Sequence, residues 1–125
     1  MKKNIVWAIG VIVLFAGIVW AVQMPEKPGV LDTFAQCISD SGAKYYGAFW
    51  CPKCKNQEAL FGRSKRLLPR IECSTPDGRA QIQTCMDAGI SAYPTWVFPD
   101  GKKITGTQST SNLAELTGCK LPDND

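Results

Sequence analysis

Histidine is absent from this 125-residue chain. That excludes imidazole acid–base catalysis, Cys-His nucleophile pairs and Cys-His zinc sites. An excess of one charge is missing too, with 14 basic residues against 11 acidic ones. So even a balance offers no basic face for nucleic acid, and no nucleic-acid partner is expected. Internal repeats and low-complexity tracts are also lacking. The length leaves room for one domain of ordinary size. Cysteine, by contrast, is plentiful. Six cysteines at distributed spacings suggest disulfides and an oxidising compartment.

One long apolar run is present. Lys2 and Lys3 precede an uninterrupted stretch from Ile5 to Val22. As a helix it would reach about 27 Å, enough to cross a hydrocarbon core of roughly 30 Å. Trp7 and Trp20 lie near its ends, where indole rings favour the interface. A cleaved signal peptide is the rival reading, because Val19-x-Ala21 is an acceptable cleavage pattern, but its apolar core is usually only about 7–15 residues. The expectation is a single-pass membrane anchor over 1–22. Basic residues ahead of the span keep the N-terminus in the cytoplasm and export the rest.

Gln23 to Gly29 holds two prolines and a glycine and reads as a linker. The folded domain should span 30–121, with a short tail at 122–125. The periodicity predicts a helix over Val30–Ser39 and a buried strand over Lys44–Trp50. A helix opened by Pro52 runs to about Leu68, followed by a short strand at Arg70–Cys73. Ala80–Ala88 reads as a helix, Thr95–Phe98 and Lys103–Gly106 as a hairpin. A last helix, capped by Ser111, ends at Gly118.

The residues that carry chemistry are Trp50-Cys51-Pro52-Lys53-Cys54, with Tyr93-Pro94-Thr95 some forty residues on. Two thiols at this spacing close a small disulfide ring. Cys51 falls where a strand ends and a helix begins. Unpaired N–H groups and the helix dipole there favour a thiolate, and Lys53 adds positive charge. Cys51 is therefore the expected attacking sulfur. Cys54, one turn further in, resolves the mixed disulfide. The bland alternative is an inert disulfide, or half of a zinc site completed by Cys73 and Cys85. The wide spacing to those two argues against a zinc ribbon. Trp50 reads as site rim and Trp96 as core.

The order α-β-α-β-α-β-β-α, with Cys-x-x-Cys at a strand-to-helix junction and Pro94 ahead of the third strand, resembles the thioredoxin superfamily. The resemblance covers about Val30 to Leu121. Closer in, Tyr46-Gly47-Ala48-Phe49-Trp50-Cys51-Pro52-x-Cys54, Glu72-Cys73-Ser74, Cys85 and Tyr93-Pro94-Thr95-Trp96 are similar to one branch. That branch is the thioredoxin-like domain fused to bacterial vitamin K epoxide reductase homologues. The resemblance implies an α/β fold, a central mixed sheet flanked by helices. It also implies electrons carried from exported proteins with cysteine thiols to a quinone-linked membrane reductase. No four-helix reductase is part of this chain, which would be the separate, self-anchored version. The only redox group expected is the Cys51–Cys54 disulfide itself; no cofactor and no metal are expected.

The resemblance also implies a cis peptide at Pro94, exposing the Tyr93 backbone so that an extended peptide can add alongside. Trp50, Pro52, Tyr93 and Pro94 are thus the expected substrate-binding residues. A structural disulfide between Cys73 and Cys85 is implied likewise; a second, electron-shuttling pair is the alternative. Cys37 and Cys119 remain, and their pairing would pin the two ends of the domain. Thioredoxins often place a buried acid six residues before the first cysteine as a proton acceptor. Tyr45 stands there here, a departure that fits an oxidant better than a strong reductant. Reduction or isomerisation of exported proteins, cytochrome maturation, and a non-catalytic module all remain open on the residues alone.

Overall fold

A computed structural model describes residues 1–123, so the expected tail at 122–125 lies partly outside the described residues. The first helix, α1 (Lys2–Val22), is apolar from Ile5 onward, and its most apolar 18-residue stretch has a mean hydropathy of 2.7. Its 21 residues give a length of about 31 Å, and none of them is buried. By length and composition it could cross a membrane.

The remaining elements are α2 (Asp32–Asp40), β1 (Lys44–Gly47), α3 (Pro52–Ala59), a 3₁₀ helix (Gly62–Leu67) and β2 (Arg70–Glu72). Then follow α4 (Gln83–Asp87), β3 (Thr95–Val97), β4 (Lys103–Thr105) and α5 (Thr110–Thr117). Four strands form one mixed sheet in the order β2-β1-β3-β4. β1 runs parallel to β2 and antiparallel to β3, and β3 pairs antiparallel with β4. This is the α/β, thioredoxin-like arrangement that the sequence implies: a central mixed sheet flanked by helices, preceded by an apolar helix.

Strand alternation divides the core between the two faces of the sheet. Tyr45 and Trp96 point to one face, where Phe34 and Ile38 of α2, Phe61 and Leu113 of α5 cover them. Tyr45 and Trp96 are cross-strand partners with ring centroids 4.9 Å apart. Tyr46 points to the other face, against Cys73, Cys85 and Ile90. Central β1 is thus buried on both sides after its exposed Lys44.

Several elements are shorter than the sequence suggests, each for a local reason. The buried strand expected over Lys44–Trp50 stops at Gly47. The chain turns there, Cys51 N–H donating to the Ala48 carbonyl at 3.1 Å, and leaves Phe49 and Trp50 about half exposed. The helix expected to reach Leu68 ends at Ala59 instead. Gly62 adopts a left-handed φ of 53°, and the break turns Phe61 inward to stack on Phe34 at 5.9 Å. Residues 80–82 are not helical, because they are drawn alongside 73–75: Ser74 bridges Gln81, and Ile82 N–H donates to the Cys73 carbonyl at 2.8 Å. The last helix is capped by Ser109, not Ser111; the Ser109 hydroxyl accepts from Asn112 N–H at 3.1 Å.

Candidate active site

Cys51 is the N-cap residue of α3, in extended conformation, with Pro52 at the first helical position. Proline fits there because its missing N–H would have no intrahelical partner, and its fixed φ suits a helix start. No side-chain oxygen caps the helix. Its first-turn N–H groups are therefore left without a side-chain partner at the end of α3 where Cys51 sits. The Cys51 Sγ lies 3.7 Å from the Tyr93 carbonyl oxygen and is 6% exposed.

Cys54, one turn later, is only 1% exposed. Burial pushes its thiol up to about 11. The Ala48 backbone N–H works against that shift, the neighbouring Cys51 adds to it, and the Tyr45 hydroxyl again opposes it. Gly47 explains how the sulfur fits beneath the sheet. A Cβ at residue 47 would lie 3.2 Å from Cys54 Sγ and 3.4 Å from the Tyr45 hydroxyl oxygen. The fully buried Tyr45 donates its hydroxyl to the Cys54 carbonyl at 3.2 Å.

The rim is aromatic. Trp50 donates its indole N–H to Ser74 Oγ at 2.9 Å and meets Tyr93 edge-to-face at 6.0 Å. Both rings border a hollow of about 150 Å³, completed by Ser74, Gly78, Arg79 and Gln81. The Tyr93–Pro94 peptide is cis, Pro94 is buried and Tyr93 partly so. Pro52 is exposed at the site's mouth. Trp96, by contrast, is wholly buried.

The other four cysteines are paired. Cys73 bonds Cys85, both completely buried, at the junction of β2 and α4. Cys37 of α2 bonds Cys119, just past α5, across 82 residues of chain. Cys51 and Cys54 are left as the two free thiols among the described residues.

Three contributors escaped the sequence reading. Gln57 is fully buried, and its amide oxygen accepts from Trp96 Nε1 at 3.1 Å and from Gln108 N–H at 2.7 Å. Its amide nitrogen donates to the Gln108 carbonyl at 3.0 Å. Its place three residues after Cys54, on the same helix face, was the available signal. Gly47 is the second. The third is Glu58, with Oε1 2.9 Å from Arg70 Nη1 but without hydrogen-bond alignment, so charge alone holds that pair.

No family model matches the chain. Over 92 residues it is 40% identical to the thiol-disulfide oxidoreductase LTO1 of Arabidopsis thaliana. The match takes in 70% of this chain and 24% of that protein, so the chain spans about a quarter of its relative's length. The relative's name fits the thioredoxin-like reading of the Cys-x-x-Cys segment.

Proposed function

We propose that this chain is a membrane-anchored thiol–disulfide oxidoreductase. The observation that carries the reading is the pairing of the cysteines. Four of six are bonded in two disulfides, and the two free thiols are the Cys-x-x-Cys pair at a helix N-terminus. The name of the relative supports it.

In this reading the Cys51–Cys54 disulfide accepts electrons. A substrate thiolate attacks Cys51 Sγ, the Cys51–Cys54 bond breaks, and its electron pair leaves on Cys54. A second substrate thiolate attacks the mixed disulfide and leaves with a new disulfide, and Cys51 departs as a thiolate stabilised by the helix N-terminus. Trp50, Pro52, Tyr93 and Pro94 border the attacked sulfur, and an extended peptide would lie along the Tyr93 backbone. The dithiol then passes its electrons to a quinone-linked membrane reductase of the vitamin K epoxide reductase type. α1 serves as the anchor, with the thiols on the exported side. Burial of Cys73–Cys85 on both sulfurs favours a structural role over a second relay, because an attacking thiol has no path to it.

Cys54→Ala in the full chain tests the core of this reading. The variant cannot resolve the bond formed at Cys51, so mixed disulfides with exported proteins should accumulate on non-reducing gels. Cys51→Ala should trap none. Equal trapping by both, or by neither, defeats the assignment. Incubating the reduced chain with membranes containing such a reductase and a quinone tests the partner: reoxidation that depends on the quinone supports it, and its absence favours a reductase or isomerase role.

A further inference from the structure

Opening and closing of the Cys51–Cys54 bond both pass through a negative charge on Cys54. When a thiolate attacks Cys51 in the oxidised chain, the bonding pair leaves on Cys54. On reoxidation the Cys54 thiol loses its proton to water. Its thiolate attacks Cys51 in the mixed disulfide, the Cys51–Cys54 bond forms, and the pair departs on the partner's sulfur. Yet Cys54 is 1% exposed, and a buried sulfur anion needs donors.

Tyr45 stands in the right place to be one. Its ring is locked between α2 and the sheet by Trp96, and its hydroxyl rests on the Cys54 carbonyl at 3.2 Å. The Cys54 sulfur and that hydroxyl both border the space that a Cβ on residue 47 would fill, at 3.2 and 3.4 Å from it. A hydroxyl proton rotates freely about its C–O bond, and a bond to an anion is stronger than one to a carbonyl. We infer that the Tyr45 hydroxyl turns from the Cys54 carbonyl to the Cys54 sulfur as charge develops there, and is the side-chain donor that holds the thiolate. The inference deepens the oxidoreductase reading and rests on it.

Tyr45 acts as a donor and not as a base. Burial, with the charges of Cys54 and Glu58, raises its own ionisation far above the ordinary phenol range, so it keeps its proton. The other titratable groups near Cys54 are Cys51 on the same turn and Tyr93 across the site; Glu72 at the end of β2 acts on Tyr93. The Glu58–Arg70 pair lies behind Tyr45. None of these is altered by Tyr45→Phe, which also keeps the ring.

The test forms a mixed disulfide between Cys51 of the full chain and thionitrobenzoate, then follows its release by Cys54 across pH. Loss of the donor should move the midpoint of the release profile up by about one unit. At neutral pH that cuts the thiolate about tenfold and returns about threefold through greater nucleophilicity, a net slowing of about threefold. Difluorotyrosine at position 45, a stronger donor, should move the profile the opposite way. It also decides the matter if the Phe variant fails to fold. An unshifted profile in both variants overturns the inference. Failure of the unmodified chain to release the probe would instead overturn the oxidoreductase reading.

Discussion

At the scale of single residues, the contrast between Cys51 and Cys54 has a measurable consequence for stability. Folding raises Cys54 from an ordinary value of 9.0 to about 11. The native reduced chain thus holds a proton that the unfolded chain gives up first. The stability linked to that proton is complete below about pH 9 and is lost as pH rises towards about 11. The oxidised chain has no such proton. Melting temperatures of the two forms should therefore diverge in that window, the reduced form falling faster, and the Cys54→Ala chain should lack that steeper fall. Parallel curves would contradict the assignment. Cys51, Cys54 and Pro94 were legible as motif residues because their chemistry follows from type and spacing. Gly47 was not. Its role depends on a neighbour seven positions away in sequence, which a Cβ would crowd at 3.2 Å.

At the scale of elements, α3 is tied to the sheet by Gln57, which bridges Trp96 of β3 and the Gln108 backbone before α5. Gln57→Leu keeps the volume but strands the buried Trp96 indole N–H and the half-buried Gln108 N–H. A loss of about 2–4 kcal/mol is expected, since each unsatisfied buried group costs about 1–3 kcal/mol. Thermal unfolding of the detergent-solubilised chain checks it, and a change below about 0.5 kcal/mol would show that these bonds contribute little. The order of elements was readable from apolar periodicity and turn residues. Their ends were not, because tertiary pairing decides them. Ala80–Ile82 has a helical pattern, yet the Cys73 carbonyl and the Thr75 N–H recruit it as a partner. Phe61 likewise leaves the helix because the face of α2 offers it a ring to pack on.

For the whole molecule, the prediction concerns sidedness. With Lys2 and Lys3 ahead of the apolar run from Ile5 to Val22, the thiols should lie outside the cytoplasm. A membrane-impermeant maleimide, added to intact cells after mild reduction, should label Cys51. Labelling that requires lysis would reverse the topology. The end of the apolar helix was legible because composition changes sharply at Val22. The pairing of Cys37 with Cys119 was not derivable, since nothing in the residues says that α2 and the end of α5 share a face.

The junction between linker and domain limits how far the thiols roam. The chain becomes fixed at Gly29, whose carbonyl accepts from Asp32 N–H at 3.3 Å, while Leu31 N–H donates to Ser64 Oγ at 3.0 Å. Only residues 23–28 remain as a leash, no more than about 20 Å when fully drawn out. With α1 in a bilayer, the domain would patrol a thin shell over the surface. A reductase in the same membrane would then share that shell with its thiols, and the two would meet more often than if the domain were free in solution. Lengthening the leash would dilute that encounter without touching a single atom of the active site.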